Sequence, residues 1–233
     1  MDLNERQKRI EQLRKKIAAC TRCDLHKTRT NTVPGEGSLA ARIMFIGEAP
    51  GNNEDLQGKP FVGRAGNVLD VLLKSVGLIR DDIYICNILK CRPPGNRNPL
   101  ATEIHACVGS LDLQIKIINP SIIATLGNFA TTYIFEKFGI PPAKIGSVAG
   151  KMIEVETPFG PKKIVPLFHP AVATYNVHKT DDLIRDFQIF RKLLNEEQVQ
   201  KEKKSTVPEI TDTDNIEIKE PFPNAPSQLE FFE

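Results

Sequence analysis

Two absences and an odd number of cysteines narrow the class of this protein before any motif is considered. The 233-residue chain has no run of about 18 apolar residues, so we expect no transmembrane helix and no membrane partner. Residues 1–16 are charged throughout and lack the apolar stretch of a secretory signal, which predicts an intracellular, cytoplasmic protein. The cysteines are odd in number, which argues against a disulfide framework and favours a metal site or buried thiols.

Net charge is also small, at +2, but its distribution is uneven. Residues 201–233 carry four lysines against eight acidic residues, so the rest of the chain has a positive excess. This last segment is punctuated by proline and has no hydrophobic period. We therefore predict a folded domain over residues 1–200 and a disordered acidic tail over 201–233. A mildly basic domain fits a polyanionic partner without requiring one.

Short apolar segments alternate with amphipathic segments along the predicted domain. The strands are predicted at 41–46, 83–89 and 121–126, with a hairpin over 151–168, and the helices at 3–19, 64–76, 99–118, 128–138 and 181–200. Buried strands that alternate with helices indicate an α/β protein with a mainly parallel sheet. Polar turns follow three of the strands, and ligands bind beyond the carboxyl ends of strands in such sheets. The pattern therefore predicts one functional edge.

Four cysteines have a spacing that suits a metal site. Cys20 and Cys23 form a C-x-x-C pair, which can hold one metal because both thiolates face inward from a tight turn. Cys91 and Cys107 follow at a distance, and Cys107 lies on an apolar helical face where core burial is an equal alternative. Thiolates alone do not separate zinc from an iron–sulfur cluster, although ligands from distant segments favour the cluster. Cys86, inside a strand, is expected to stay free.

Polar residues at the strand ends predict a ligand pocket. Asn87 ends an apolar strand, and burying an unpaired amide costs about 1–3 kcal/mol, so it needs a partner. That partner is either neighbouring backbone or a ligand. His169 follows the last strand, where it either caps a carbonyl or faces the same ligand. The turn Gly47–Gly51 has glycine at both ends, but taken alone it is weak evidence for a ligand pocket, because glycine-rich turns usually only reverse the chain.

Together these segments match a known set of motifs in order. They are Cys20-Thr-Arg-Cys23, Gly47-Glu-Ala-Pro-Gly51, Gly58-Lys-Pro-Phe-Val-Gly-Arg-Ala-Gly66, Asn87-Ile-Leu-Lys-Cys91-Arg-Pro-Pro94, Asn96-Arg-Asn-Pro99 and His169-Pro170. The set resembles the family 4 uracil-DNA glycosylases, the iron–sulfur enzymes of bacteria and archaea. The resemblance covers residues 3–195 and implies a three-layer α/β/α sandwich with a four-stranded, mainly parallel sheet.

The resemblance also implies an activity and a cofactor. A monofunctional enzyme of this family flips uracil out of single- or double-stranded DNA and hydrolyses its N-glycosidic bond. The product is an abasic site, and the reaction belongs to base excision repair of deaminated cytosine. We also expect the protein to be a monomer associated with the nucleoid. The implied cofactor is a [4Fe–4S] cluster, and its ligands would be Cys20, Cys23, Cys91 and Cys107.

The resemblance gives three residues a role in recognising the base. Phe61 would stack on the flipped uracil. Asn87 would pair with uracil O4 and N3–H, and it would reject cytosine because cytosine presents the reverse pattern. His169 would donate a hydrogen bond to uracil O2, where negative charge develops as the bond breaks.

The glycine-ended turn and Glu54, which follows it, supply the remaining substrate contacts that the resemblance implies. Glu48, flanked by Gly47 and Ala49, would stabilise the sugar cation or position the attacking water. Family 1 enzymes have an aspartate at the position of Ala49, and alanine cannot act as a base. Glu54 would crowd uracil C5 and exclude the methyl group of thymine.

Basic side chains near Cys91 suggest how DNA would bind. Lys90, Arg92 and Arg97 would contact phosphates on either side of the flipped base, and the loop at 169–176 would enter the duplex. Residues 225–233 contain apolar side chains at the end of a polar tail. They resemble the docking motif for the sliding clamp (PCNA), although the spacing departs from the usual pattern. The residues concerned are Gln228, Leu229, Phe231 and Phe232.

Two other functions compete with the enzyme hypothesis. A non-catalytic, metal-bearing nucleic-acid module could use the same basic loop, but it would not need Asn87, Phe61 and His169 to converge on one edge. An iron–sulfur electron carrier would leave that basic loop without a role, and nothing in the chain indicates a flavin or nicotinamide site. We therefore predict the enzyme.

Overall fold

The computed structural model describes residues 1–176 and 178–205 of the chain, and for residues 196–205 it describes the backbone alone. The strands are β1 (Glu36–Gly37), β2 (Ile43–Gly47), β3 (Ile83–Asn87), β4 (Ile122–Leu126), β5 (Ile153–Val155) and β6 (Lys162–Leu167). The helices are α1 (Leu3–Ala18), α2 (Asn52–Gln57), α3 (Arg64–Ser75), α4 (Ala101–Ile118), α5 (Asn128–Lys137), α6 (Ile145–Val148), α7 (Ala171–Tyr175) and α8 (Lys179–Ser205). The predicted α/β class is confirmed.

The strands form one sheet in the order β1-β3-β2-β4-β6-β5. The four central strands, β3, β2, β4 and β6, are parallel and correspond to the four-stranded sheet that the resemblance implies. Two antiparallel edge strands, β1 and β5, bring the total to six, against four from the resemblance and five from the sequence pattern with its hairpin. The edge strand β1 is only Glu36–Gly37 and has no apolar alternation, so the sequence pattern contains no signal for it. The predicted hairpin is confirmed as β5 and β6.

Two apolar layers cover the sheet because alternate strand residues point to opposite faces. Met44 and Ile46 of β2 pack on one face with residues of α1, α4 and α5. Phe45 of the same strand packs on the other face with α3 and α8. There its ring stacks on Phe187 of α8, with 5.8 Å between ring centroids. The three-layer arrangement implied by the resemblance is therefore present.

The end of the predicted domain falls inside the last helix. The chain divides into two units, Met1–Glu196 and Glu197–Glu233. The helix α8 continues to Ser205, beyond the predicted boundary at 200. Most of the predicted tail, residues 206–233, lies outside the described residues, so its disorder stays a prediction. None of the helices that the structure describes has the length and hydropathy of a membrane span.

Candidate active site

The carboxyl ends of the parallel strands open into one cavity. Gly47, the last residue of β2, lies in register with Asn87, the last residue of β3. Beyond these ends is a cavity of about 570 Å³, and its walls include Glu48, Phe61 and His169. Residues from three separate motifs of the sequence therefore line one space at the predicted edge.

Asn87 has a buried acceptor that faces this edge. Only 2% of the residue is exposed, and its Oδ1 atom has no hydrogen-bond partner among the described residues. A Cβ atom added to Gly47 would lie 2.4 Å from this Oδ1 and 2.7 Å from Cζ of Phe61. Only glycine fits at position 47, because the amide and the ring meet over its backbone. An unpaired buried acceptor is costly, so this one is available for a ligand donor.

Phe61 is held in an unusual backbone conformation. Its φ angle is 53°, a left-handed value that costs a bulky residue about 1–3 kcal/mol. Arg80 stabilises this conformation by donating from Nη2 to the Phe61 carbonyl (2.5 Å) and from Nη1 to the Pro60 carbonyl (3.2 Å). Asp70 in turn accepts from Arg80 Nε at 2.7 Å. A Cβ on Gly66 would lie 1.8 Å from the Phe61 oxygen, so glycine is required there too.

Arg80 and Asp70 are functional-site residues that the sequence analysis missed. They lie outside every quoted motif, and only the fold brings the guanidinium of Arg80 to the carbonyl of Phe61. The one local signal was Gly66, which closes the Phe61 motif and marks a close approach of two backbones.

His169 is positioned as a neutral hydrogen-bond donor. Its ring lies against that of Phe61, with centroids 5.7 Å apart. The backbone N–H of Ala171 donates to His169 Nδ1 at 3.1 Å, which assigns the proton of the neutral ring to Nε2. Burial lowers the pKa of His169 to about 4, against the opposing effect of the Glu54 charge. The imidazole is therefore uncharged at neutral pH.

Glu48 in the turn and Glu54 in α2 have different environments. Glu54 accepts backbone hydrogen bonds from Val62 and Gly63 at Oε1 (2.9 and 2.8 Å) and from Gly51 at Oε2 (3.1 Å). It thus ties the turn to the loop that carries Phe61, while its predicted contact with uracil C5 stays a prediction. Glu48 lines the cavity, and burial raises its pKa above the usual value.

Lys90 does not lie on the DNA-facing surface, which corrects the prediction that it contacts a phosphate. Only 2% of the residue is exposed. Its Nζ atom donates to the Asn87 carbonyl at 2.6 Å and to Gln114 Oε1 at 2.7 Å. A basic stretch of sequence gives no sign of which lysine points inward, and here the partner comes from α4.

Arg92 and Arg97 lie near the cavity mouth, each with a protein partner. Arg92 donates to the side-chain oxygens of Asn52 and Asn96, both at 2.7 Å. Arg97 lines the cavity and forms two hydrogen bonds with the carboxylate of Glu103, at 2.9 and 2.5 Å. The hydrogen bond from Arg97 holds the pKa of Glu103 below its usual range.

Tyr175 is a further residue that the sequence analysis did not identify individually. It ends α7 and lines the same cavity. The residue is 83% exposed, which is unusual for a large aromatic side chain. The predicted DNA-entering loop therefore presents an aromatic ring at the cavity mouth.

A second cavity collects the four cysteines of the predicted metal site. Its walls include Cys20, Cys23, Cys91 and Cys107. No group of three potential ligands within the described part of the chain is arranged to hold a single ion. In a cubane cluster each thiolate binds a different iron, so four cysteines around a cavity suit the four-cysteine ligation of [4Fe–4S]. Cys86, which was predicted to stay free, does not line this cavity and is fully buried in the core.

Two arginines supply positive charge to this cavity. Arg29 donates from Nη1 to Cys91 Sγ at 3.2 Å. Burial raises the pKa of Cys20, but hydrogen bonds and charge from Arg22, together with the charge of Arg29, outweigh it and hold that pKa below its usual value. Metal binding requires the thiolate, so both arginines favour the ligating form.

Comparisons with known proteins identify a family and several relatives of this chain. The family model described as "Uracil DNA glycosylase superfamily" matches residues 34–196. The type-4 uracil-DNA glycosylase of Archaeoglobus fulgidus is 44% identical over 190 residues, which cover 81% of this chain and 95% of that protein. The type-4 enzyme of Sulfurisphaera tokodaii is 46% identical over 187 residues (79% and 84%), and that of Thermotoga maritima is 44% identical over 171 residues (73% and 86%).

Proposed function

Because the chain belongs to the type-4 uracil-DNA glycosylases, we propose that it excises uracil from DNA by hydrolysing the N-glycosidic bond. The product is an abasic site, which places the reaction in base excision repair. The observation that carries this proposal is the unpaired, buried Oδ1 of Asn87 beside the ring of Phe61. Uracil has an N3–H donor and an aromatic face, so it complements both groups.

Three side chains would contact the bound base. The face of Phe61 offers stacking area, and Asn87 offers an acceptor for N3–H together with an amide donor for O4. Cytosine has an unprotonated N3 and an amino group at position 4. Its N3 acceptor would face the Asn87 oxygen and its amino donor would face the Asn87 amide donor, so neither hydrogen bond forms. His169 completes the set because its Nε2–H is directed by the bond that Nδ1 receives from Ala171.

These groups account for the reaction step by step. The bond between sugar C1′ and uracil N1 breaks, and its electron pair leaves with the base as an anion delocalised onto O2. The Nε2–H of His169 stabilises that charge without transferring its proton. A water molecule then adds to C1′ of the sugar cation, and its proton passes to Glu48 or to solvent. Burial raises the pKa of Glu48 and makes its carboxylate a better proton acceptor.

The activity itself is tested with uracil-containing oligonucleotides, single- and double-stranded, followed by alkali cleavage of abasic sites. The proposal expects strand breaks at uracil and none at cytosine or thymine in matched oligonucleotides. Breakage that occurs without alkali would contradict monofunctional hydrolysis. A pure binding module would retain the DNA but leave it resistant to alkali, and an electron carrier would do neither.

The pH dependence of excision should reflect the low pKa of His169. Lowered to about 4, this pKa keeps the imidazole neutral down to about pH 5, so His169 should not reduce the single-turnover rate between pH 8 and 5. Below that, protonation gives Nδ1 a hydrogen that conflicts with the Ala171 N–H, and the rate should fall. Protonation of Glu48, whose pKa is raised, adds to the same acidic decline.

The His169 contribution is separated from that of Glu48 by NMR. Ring carbon shifts of the histidines are followed from pH 8 to 4, and His169→Gln identifies the relevant signal. The signal should stay that of a neutral ring through the range where an ordinary histidine titrates, near pH 6.5. A midpoint near 6.5 for His169 would contradict the assignment.

We also propose that the four cysteines around the second cavity hold a [4Fe–4S] cluster, as the donor set allows. A bound cluster would supply structural ties rather than a step in the hydrolysis. Its ligands would connect the segment after α1 with the loop after β3 and with α4.

For DNA, Arg92 and Arg97 would contact phosphates, and Tyr175 at the exposed end of α7 would stack where the base has left.

The last proposed partner is a sliding clamp, bound through residues 225–233, which lie outside the described residues. A pair of aromatic residues, Phe231 and Phe232, follows Gln228 and Leu229 in a polar segment. Aromatic anchors dominate many interfaces, so deleting 225–233 should weaken clamp binding by at least about 30-fold in isothermal titration. Residues 225–233 lie outside every motif assigned to base recognition or hydrolysis, so excision from short oligonucleotides should be unchanged. Equal clamp affinity of the truncated protein would remove this contact.

A further inference from the structure

Lys90 lines the cysteine cavity and its buried ammonium contacts the carbonyl of Asn87, and neither the DNA contacts nor the hydrolysis uses it. We propose that Lys90 is a positioning residue: it ties the cysteine cavity to Asn87 and thereby fixes the amide that recognises the base. The inference rests on the proposed excision of uracil and adds a residue on which selectivity for uracil depends.

The side chain of Lys90 joins two elements of the fold. Its Nζ donates to the carbonyl of Asn87 at 2.6 Å and to Oε1 of Gln114 at 2.7 Å. Gln114 lies on α4, the helix that also carries Cys107. The end of β3, where the recognition amide sits, is therefore pinned to the helix that supplies a predicted cluster ligand.

Gln114 is itself fixed, so it can serve as an anchor. It is completely buried, and its Nε2 donates to the Pro34 carbonyl at 2.5 Å and to the Tyr84 hydroxyl at 3.2 Å. With its amide donors engaged, Oε1 is oriented toward Lys90. The Lys90 carbonyl in turn accepts from the Val33 N–H at 2.8 Å, which holds the main chain of the same residue.

The position of the ammonium also fits the charge of the cysteine site. The two oxygens that accept from its Nζ are neutral, and the ammonium also contacts the buried thiol of Cys86. A buried cation is costly unless negative charge lies nearby. Lys90 lines the cavity of the four cysteines, which are anionic when they ligate iron. Lys90 thus faces negative charge on one side and the backbone of the recognition residue on the other.

The test replaces Lys90 with methionine, which keeps most of the volume and removes the charge. The matched control is Lys162→Met, because Lys162 is also buried and its Nζ donates to Asn119 Oδ1, outside the cysteine cavity. Iron content, absorbance near 400 nm and the melting temperature report on the cluster and the fold. Affinity is measured for oligonucleotides carrying 2′-fluoro-deoxyuridine, which resists cleavage, and for matched oligonucleotides without uracil.

Lys90→Met should retain iron but bind the uracil analogue about 10- to 100-fold more weakly, the loss expected for a hydrogen bond to a charged group. Binding to the undamaged oligonucleotide should not change, and Lys162→Met should leave both affinities unchanged. In Lys90→Ala, n-propylammonium replaces the deleted atoms and should restore at least part of the uracil-specific affinity, whereas sodium at equal ionic strength should not.

Equal weakening on both oligonucleotides would overturn the inference, as would wild-type selectivity in Lys90→Met. If Lys90→Met does not fold or hold iron, Gln114→Met decides, since it keeps the Lys90 ammonium and removes one of its two oxygen acceptors. Because it also removes the bonds from Gln114 to Pro34 and Tyr84, its iron content and melting temperature are measured alongside. Selective loss of uracil binding supports the inference, and unchanged selectivity overturns it. The alkali assay on wild-type protein separates failure of this inference from failure of the proposed function. If the wild-type protein does not excise uracil, the proposed function fails. If it does, only the role of Lys90 is in question.

Discussion

Asn87→Asp is expected to lower uracil excision by at least about 1,000-fold, because a site built around paired hydrogen bonds rejects a partner that leaves them unmade. The carboxylate can still accept from uracil N3–H, but its second oxygen replaces the amide donor and faces the O4 acceptor. The mutation does not alter the backbone carbonyl that Lys90 contacts. The measurement is the single-turnover rate on a single-stranded uracil oligonucleotide, where no base pair has to be opened.

The control for this prediction is Asn119→Asp, the same chemical change at the end of α4. Asn119 accepts a hydrogen bond from the ammonium of Lys162, which a carboxylate also accepts, so the change is tolerated there and the excision rate should stay at the wild-type level. The Asn87 variant is also assayed on cytosine, whose amino group can donate to the new carboxylate. Uracil excision at the parent rate by Asn87→Asp would place base recognition elsewhere.

The sequence was most informative where function depends on the end of a strand. Gly47, Asn87 and His169 each follow a buried apolar run, and parallel strands bring such ends to one edge whatever the detailed packing. The cysteine set was recovered only through the resemblance, since Cys107 also lies on an apolar helical face. Spacing alone left that ambiguity open. Cys107 lines the cysteine cavity and also packs against the core, so its role as a ligand stays a prediction.

The residues that the sequence analysis missed or misplaced share a physical cause. Their roles depend on contacts between segments that are distant in the sequence. Lys90 belongs to a basic loop by composition, yet its ammonium turns inward because Gln114 and the Asn87 carbonyl offer acceptors. Arg80 supports Phe61 across the fold and has no local signature. The periodicity of apolar residues predicts helices and strands, but it does not identify two residues that come into contact only after folding. The residues that hold the site in place were therefore harder to predict than those expected to touch the substrate.

Cys91→Ala and Cys107→Ala are expected to abolish the iron–sulfur centre and destabilise the protein. The wild-type protein should be brown, with broad absorbance near 400 nm and about four irons per chain. Cys91 follows β3 and Cys107 lies on α4, so loss of either ligand opens the tie between these segments. Ligation energy is also folding energy, and we expect the melting temperature to fall by more than about 10 °C. Absorbance, iron analysis and calorimetry check the three outcomes.

Cys86→Ala is the matched control, because Cys86 is equally a buried cysteine of the same region but packs in the core beside Tyr84 and Ile88 rather than lining the cysteine cavity. It should keep the colour and the iron, with a loss of about 1 kcal/mol of stability for the missing sulfur contacts. That corresponds to a fall of about 2–4 °C in melting temperature for a domain of this size. A colourless wild-type protein with stoichiometric zinc would refute the cluster, and loss of iron from Cys86→Ala would show that the four cavity-lining thiols are not the complete ligand set.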